Sequence, residues 1–484
     1  MSFNTALGWS YVMQGGQYAI TTLVTFVLAA VLGPSDFGLV AMALVYLLFI
    51  QMLLRQGMVP AIVQRRELDA RHVNSAFWLL MATGVVLTAA SLLLSGWWSK
   101  VNRTPELENV INVMSVLIPL QALVVVQEAL LSRHLDFRGL AMRANAAALI
   151  GGVVGLGMAF TGFGVWALVA MHVVKSVVDV VVLWTLSDWR PTWNFAPGAA
   201  REMLGFSSAA ALGSLGSFAS SRADALLIGV FFGPTAVGLY RLAARLVEVV
   251  TYVTTSALQA VSLPELSRVQ DDPGRLSERI TKIIQAAALV ALPPLGLLAG
   301  SSGVIMQLLG DDWEPATSAL SVLCVVGAVV TLTIFTGPIL MAVGKPRLFA
   351  LVTWMSAVFS VGSFLLAGLL LTDAPMDDQV LGVALSRAAV FSPAILVIAG
   401  WAVTRYARVS LTQTLKTIGP ALLTGGFAFL STRLLTVVPW PGGELVQAFG
   451  VIVPGALLTV AVLWTVDPTA RALITRMARK VFSK

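Results

Sequence analysis

Apolar runs of 18 or more residues follow one another from Trp9 to Trp464, separated only by short polar connections. Each is long enough to cross a hydrocarbon core about 30 Å thick. The pattern predicts fourteen membrane spans, at 9–31, 38–62, 74–98, 108–132, 139–161, 165–187, 203–230, 235–262, 279–300, 316–342, 348–371, 380–402, 416–436 and 446–466. A membrane barrel would show strands of alternating polarity about ten residues long. Solid runs of twice that length leave only helices, which satisfy their own backbone groups in lipid. The expected fold is an all-α integral membrane protein.

One short segment recurs. Gly33-Pro34-Ser35-Asp36-Phe37-Gly38-Leu39 returns two hundred residues later as Gly233-Pro234-Thr235-Ala236-Val237-Gly238-Leu239. Gly and Pro at these offsets suit a tight turn between two helices. Six spans separate the copies, and six is even, so the chain reads as a bundle made twice with both halves in one orientation. This is a parallel repeat about an axis along the membrane normal. The expected organisation is an N-lobe over 1–190, a linker over 191–202 with Pro191 and Pro197 in or beside it, and a C-lobe over 203–404. Spans thirteen and fourteen, with a basic tail, then occupy 405–484. Such architectures place the substrate in a cleft between lobes that rock to open on either side.

The positions of the charges give an orientation. Of the 31 Lys and Arg residues, 22 fall in even-numbered connections and the C-terminal tail, Arg143 counted among them. Three, Lys100, Arg103 and Arg433, fall in odd-numbered connections, and six fall inside spans. The asymmetry predicts both termini in the cytoplasm. It also answers the net charge of +7: the basic residues mark membrane orientation, not a nucleic-acid face. Without Lys or Arg before Trp9 and without a clear cleavage site, the first run is expected to be a retained span rather than a removed signal. Trp97, Trp98, Trp313 and Trp440 near span ends predict an aromatic belt, and Asp467 to Lys484 is a candidate basic helix on an anionic surface.

Composition agrees, with 57% hydrophobic residues, 11% charged and a mean hydropathy of +0.87. A single cysteine, Cys324, excludes an intrachain disulfide or a paired-cysteine metal site. His72, His134 and His172 are too scattered to predict a metal centre. The glycines at 151, 152, 155, 157, 213 and 216 read as close helix packing. No GxxxxGK[ST] loop is present, so the chain is not expected to hydrolyse ATP.

A charge inside a span is costly unless it faces protein or water, so each one is a candidate for function. Arg55 falls about two thirds along span two, Glu128 near the end of span four and Arg387 in span twelve. Lys175 and Asp179 lie four apart on span six and read mainly as an internal ion pair. Arg222 and Asp224, two apart in span seven, cannot face one direction together. Arg241, Arg245 and Glu248 form a stripe on span eight whose positive excess suits an anionic group such as a diphosphate. Gln14 and Gln17 in span one suit either cavity lining or helix–helix hydrogen bonding.

The run from Leu32 to Leu79, LGPSDFGLVAMALVYLLFIQMLLRQGMVPAIVQRRELDARHVNSAFWL, resembles bacterial polysaccharide transporters of the Wzx type. These are flippases of the MOP (multidrug/oligosaccharidyl-lipid/polysaccharide) exporter superfamily. Further matching stretches are LSRHLDFRGLAM (131–142), GFGVWALVA (162–170), RADALLIGVFFGPTAVGLY (222–240), LPELSRVQDDPGRL (263–276) and LGDDWEP (309–315). Their wording is nearest to the subgroup serving exopolysaccharides such as colanic acid. The resemblance implies an inner-membrane transporter that moves an undecaprenyl-diphosphate-linked oligosaccharide to the periplasmic face. It further implies two six-helix lobes around a cationic cavity, with proton or sodium coupling and no bound cofactor. A polysaccharide polymerase and co-polymerase would be its partners. Related peptidoglycan-precursor flippases use arginines in spans one, two and eight; Arg55 and Arg241 or Arg245 match the latter two, and span one here has none.

Two other classes compete. A cation-coupled multidrug antiporter of the same superfamily would favour buried carboxylates over buried arginines. A membrane polymerase or ligase would need a large periplasmic loop, and no odd-numbered connection is long enough, so the chain is not expected to be an enzyme. With both lobes in one chain, a monomer is the expected state.

Overall fold

The computed structural model describes residues 3–55, 58–65, 67–134, 136–438, 440–466 and 471. Side chains are described for all of these except 3–8, 10–12, 60, 64, 203–215, 217 and 219–221. Among the described residues every regular element is a helix. The chain falls into two compact units, Met1–Gly238 and Leu239–Lys484.

The first unit contains α1 (Phe3–Val31), α2 (Pro34–Arg55), the short α3 (Met58–Gln64), α4 (Ala70–Val101), α5 (Glu106–Met114), α6 (Leu117–Arg133), α7 (Phe137–Phe160) and α8 (Val165–Leu186). It also takes in the start of α9 (Pro197–Ser267). As one rod, the 71 residues of α9 would be roughly 105 Å long, more than three bilayer cores. They are broken at Gly233, whose φ of 82° and ψ of −175° are non-helical. Thirteen described helices are long and apolar enough to cross a membrane, and one of them, Arg222–Ser267, contains that break. Dividing α9 there gives 197–232 and 234–267, each long enough for a span, and so the fourteen spans read from the hydropathy pattern. The backbone region Gly233 occupies is open almost only to glycine. Gly233→Ala should therefore lower the yield of folded protein in membranes several-fold, whereas Gly157→Ala, which meets nothing within 4 Å, should not; fluorescence-detected size exclusion reads the difference.

The two copies of the repeated turn meet. A Cβ on Gly38 would lie 1.6 Å from the Pro234 carbonyl oxygen, and one on Gly238 would lie 1.9 Å from that of Pro34. Each glycine thus receives the backbone of the other turn, a self-complementary contact of the kind two-fold pairing produces. Close packing through small residues recurs at Gly151 and Gly155 against α8, and at Gly152 against Val24 of α1. Gly157 departs from that expectation, since it faces open space. Gly213 lies outside the described side chains.

Some expectations near span ends are corrected. For span two, α2 is described to Arg55 and α3 from Met58, and the residues between lie outside the described ones. Span four stands as one stretch, Glu106–Arg133, with a turn at Ser115, whose hydroxyl bonds back to the Ile111 carbonyl at 2.7 Å and pairs with Ser91. Arg143 is not a loop residue: it lies inside α7, with its side chain 15% exposed. Trp313 belongs to no aromatic belt. It is 1% exposed, because a 3-10 turn over Asp311–Trp313 leaves the two aspartates outside and tucks the indole inward. The proposed tail helix falls outside the described residues except for Arg471, whose Nε donates to the Trp464 carbonyl.

The linker after α8 is strapped to the start of α4. Asn74 bonds both the hydroxyl and the backbone N–H of Thr192, Ser75 accepts from the Ala196 N–H, and Trp78 donates to the Thr192 carbonyl while stacking on Trp193 at 4.0 Å. Just beyond, Arg65 donates to Glu202. That hydrogen bond, then the Arg65 charge, hold the Glu202 carboxyl below its ordinary value of 4.5. A depressed carboxylate stabilises the fold above its unfolded pKa and loses that contribution as pH falls through the folded one. The melting-temperature gap between wild type and Arg65→Gln should accordingly narrow below about pH 4.5.

The second unit holds the remainder of α9, then α10 (Pro273–Gly300), α11 (Ser302–Gln307), α12 (Ala316–Thr333), α13 (Thr336–Ala342), α14 (Pro346–Leu371), α15 (Met376–Ser386), α16 (Ser392–Ala407), α17 (Leu411–Leu435) and α18 (Glu444–Val466). Spans thirteen and fourteen, outside the repeat, are α17 and α18. Both dock through small residues: a Cβ on Gly296 of α10 would sit 2.0 Å from the Gly425 carbonyl, and one on Gly455 of α18 would sit 2.9 Å from Thr432 of α17.

Candidate functional site

Two groups of charged side chains lie within the membrane helices, one in each compact unit. In the first unit they form a chain of alternating sign. Arg55 Nη2 donates to Glu128 Oε2 at 2.6 Å. The same oxygen lies 3.6 Å from Arg143 Nη1. Arg143 Nε is 3.5 Å from Asp179 Oδ1, and Lys175 Nζ is 3.4 Å from Asp179 Oδ2. Four helices supply these groups: α2 carries Arg55, α6 carries Glu128, α7 carries Arg143, and one face of α8 presents Lys175 and Asp179 a turn apart. Three cations thus meet two carboxylates. Fully burying such groups would be costly; here the ends stay open, Arg55 at 41% and Lys175 at 30% side-chain exposure.

The sequence had Lys175 and Asp179 pairing with each other, and they do. It had Arg55 about two thirds along span two, and the structure shows its guanidinium reaching a carboxylate 73 residues away. Arg143 was missed as a site residue because it sits early in its helix, among basic residues that mark orientation.

In the second unit, Arg241, Arg245 and Glu248 form the stripe that their spacing predicts. Arg241 Nη1 is 3.9 Å from Glu248 Oε1 and Arg245 Nη1 is 3.6 Å from Glu248 Oε2. One carboxylate therefore serves two guanidinium groups, and neither contact closes to hydrogen-bond length. Arg387 is held differently. It begins a π-helical turn, Arg387–Phe391, and its guanidinium lies 5.1 Å from the Phe364 ring and 4.9 Å from that of Phe391. Among the described residues it forms no ion pair. A weakly hydrated planar cation can be kept in such surroundings by aromatic faces alone, and single π turns recur at functional positions.

Asp224 is buried, and its carboxylate accepts from the Ala225 N–H at 2.8 Å, while Arg222 is half-buried and also engaged. Gln14 is exposed and Gln17 half-buried, and Gly16 between them packs against Asn145 of α7. That contact favours the helix-packing reading of this part of α1. An apolar cavity of about 440 Å³ in the second unit runs beside Leu292, Gly296, Ser321, Val325, Leu422 and Phe429. No charged side chain lines it, so it offers nothing to an anion.

Comparison with known proteins adds to this geometry. The sequence profile of the polysaccharide biosynthesis protein family matches residues 27–318, more than half of the chain. The succinoglycan biosynthesis transport protein of Rhizobium meliloti is 25% identical over 358 residues, 74% of this chain and 72% of that one. The teichuronic acid biosynthesis protein of Bacillus subtilis is 25% identical over 396 residues, 79% and 78% of the two. The lipopolysaccharide biosynthesis protein of Escherichia coli is 24% identical over 328 residues, 65% of each. Among solved structures, the lipid II flippase MurJ in an inward closed conformation superposes with a TM-score of 0.75 at 12% identity, covering 97% of this chain and all of that one. An inward-facing multidrug resistance MATE transporter of the MOP superfamily superposes at 0.61 and 15% identity, over 82% and 98%. At such identities the structural likeness speaks for the fold alone, an all-α membrane bundle shared with these two transporters.

Proposed function

The chain belongs to the polysaccharide biosynthesis protein family, and from that premise we propose that it flips an undecaprenyl-diphosphate-linked oligosaccharide from the cytoplasmic to the periplasmic face of a bacterial inner membrane, for assembly of an exopolysaccharide or lipopolysaccharide. The physical task is limited. A polyprenyl tail can stay in lipid throughout, and only the diphosphate and sugars need a polar path. The names of the relatives, which make or carry succinoglycan, teichuronic acid and lipopolysaccharide, support this substrate class.

The observation that carries the reading is the charge excess. In the first unit three cations, Arg55, Arg143 and Lys175, face two carboxylates, Glu128 and Asp179. Arginine's planar fork suits phosphate oxygens, whereas an antiporter for cationic drugs would need the opposite balance. The protein works as a monomer by alternating access, with both termini cytoplasmic, and draws on a proton or sodium gradient. It passes its cargo to a polymerase and co-polymerase on the far side. The test is a deletion strain with and without the full chain restored: without it polymer should disappear and lipid-linked repeat units should collect on the cytoplasmic face, and restoring it should reverse both. Units collecting on the periplasmic face would place the defect after flipping and overturn the proposal.

A further inference from the structure

We infer that Arg143 is the residue through which the first unit trades its own carboxylates for the phosphates of a ligand, an inference that rests on the proposed function. Five charges stand in a row, Arg55, Glu128, Arg143, Asp179 and Lys175. Only the first contact is tight, at 2.6 Å; the others lie between 3.4 and 3.6 Å. Arg143 is the middle member. Its Nη1 points to Glu128 and its Nε to Asp179, and that Nε is buried without a hydrogen bond. A guanidinium carries five donors in a rigid fork. Closing by about 0.7 Å on either side would give it a full charge-assisted hydrogen bond to a carboxylate.

The ends of the row behave differently from its centre. Arg55 and Lys175 are the more exposed, while Arg143 and Asp179 are each only 15% exposed. A phosphate or diphosphate ester therefore meets the row at an end. At Arg55 it must compete with Glu128 for the same guanidinium, and the displaced carboxylate cannot be left unpaired among apolar helices without a large penalty. Arg143 already lies 3.6 Å from the very oxygen that Arg55 holds, so Glu128 can change partner without leaving the row. Asp179 has the same option when an anion takes Lys175. Arg143 is then a positioning residue: it does not grip the ligand but makes Arg55 and Lys175 available to it.

The test is a double-mutant cycle on the full chain in nanodiscs, with undecaprenyl diphosphate as the lipid-borne probe and inorganic pyrophosphate as the free one. Binding should weaken about tenfold in Arg143→Gln, within the range shown by coupled neighbours. In a background carrying both Glu128→Gln and Asp179→Asn, where no carboxylate needs a new partner at either end, the same substitution should change affinity less than about twofold. Arg143→Lys keeps the charge but cannot serve both carboxylates, and should lose most of the binding while its unfractured melting transition reports an intact fold. An equal loss from Arg143→Gln in both backgrounds would make Arg143 a direct ligand contact and overturn the exchange, as would no loss in either. If wild type binds pyrophosphate but not undecaprenyl diphosphate, the proposed function fails, while the pyrophosphate cycle still decides the role of Arg143.

Discussion

Polymer export should fall to background in the double substitution Arg241→Ala, Arg245→Ala, with the protein still accumulating in the membrane. The two guanidinium groups stand on one helix face, 3.9 and 3.6 Å from the two oxygens of Glu248. Each charge-assisted hydrogen bond to a phosphate contributes about 1.5–3 kcal/mol. Losing one from each arginine would weaken headgroup binding by roughly two to four orders of magnitude. Single substitutions should leave measurable export, and Lys at both positions should restore part of it, since the charge remains and the fork does not. Glu248→Gln separates this reading from a structural lock. If the three side chains served only to pin helices, losing the carboxylate would remove the same ion pairs and be as damaging as losing the arginines. If they serve an anion, Glu248→Gln should be the mildest of the set. Wild-type export in the double variant would remove the second unit's arginines from the mechanism.

The fold was legible because membrane helices announce themselves by length, and the repeated turn announced the doubling. Local charge geometry was legible for the same reason that helices are: Lys175 and Asp179, or Arg241, Arg245 and Glu248, are brought together by the helical period alone. What could not be read were partners far apart in sequence. The Arg55–Glu128 contact spans 73 residues, and an apolar helix shows no polar face from which to infer what it packs against, since lipid and protein interior are equally apolar. Arg143 was hidden by the very rule that fixed the orientation, which counts basic residues near span ends without asking which way they point. Trp313 failed in the same manner, because proximity to a span end does not distinguish an indole at the lipid interface from one folded under its own loop. The π turn at Arg387 has no signature in composition; it is visible only as an arginine lodged between two phenylalanine rings.

The second large effect is expected at the paired turns, where Gly38→Ala should abolish export without preventing folding. A Cβ at this position would stand 1.6 Å from the Pro234 carbonyl oxygen, and the reciprocal one on Gly238 would stand 1.9 Å from the Pro34 carbonyl oxygen. Ordinary carbon–oxygen contact requires about twice that distance. Both obstacles are backbone, so no rotamer change relieves them, and the turns must move apart. Within each bundle the helices keep their own small-residue contacts, such as Gly151 and Gly155 against α8, which is why the protein should still reach the membrane. A transporter that alternates between states needs its closed contacts as much as its open ones. A variant barred from one contact is therefore held in the remaining states, and turnover stops. Because one methyl group suffices to part the turns, Gly38→Ala with Gly238→Ala should be scarcely worse than either alone, the non-additivity expected of a shared contact. The parting can be read directly. Val237 is fully buried, and the natural Cys324 is buried too, so Val237→Cys should resist a membrane-impermeant maleimide in the parent and react once Gly38→Ala is added. Parental export by Gly38→Ala, or a Val237→Cys that stays protected, would mean that the two copies of the turn touch without taking part in transport.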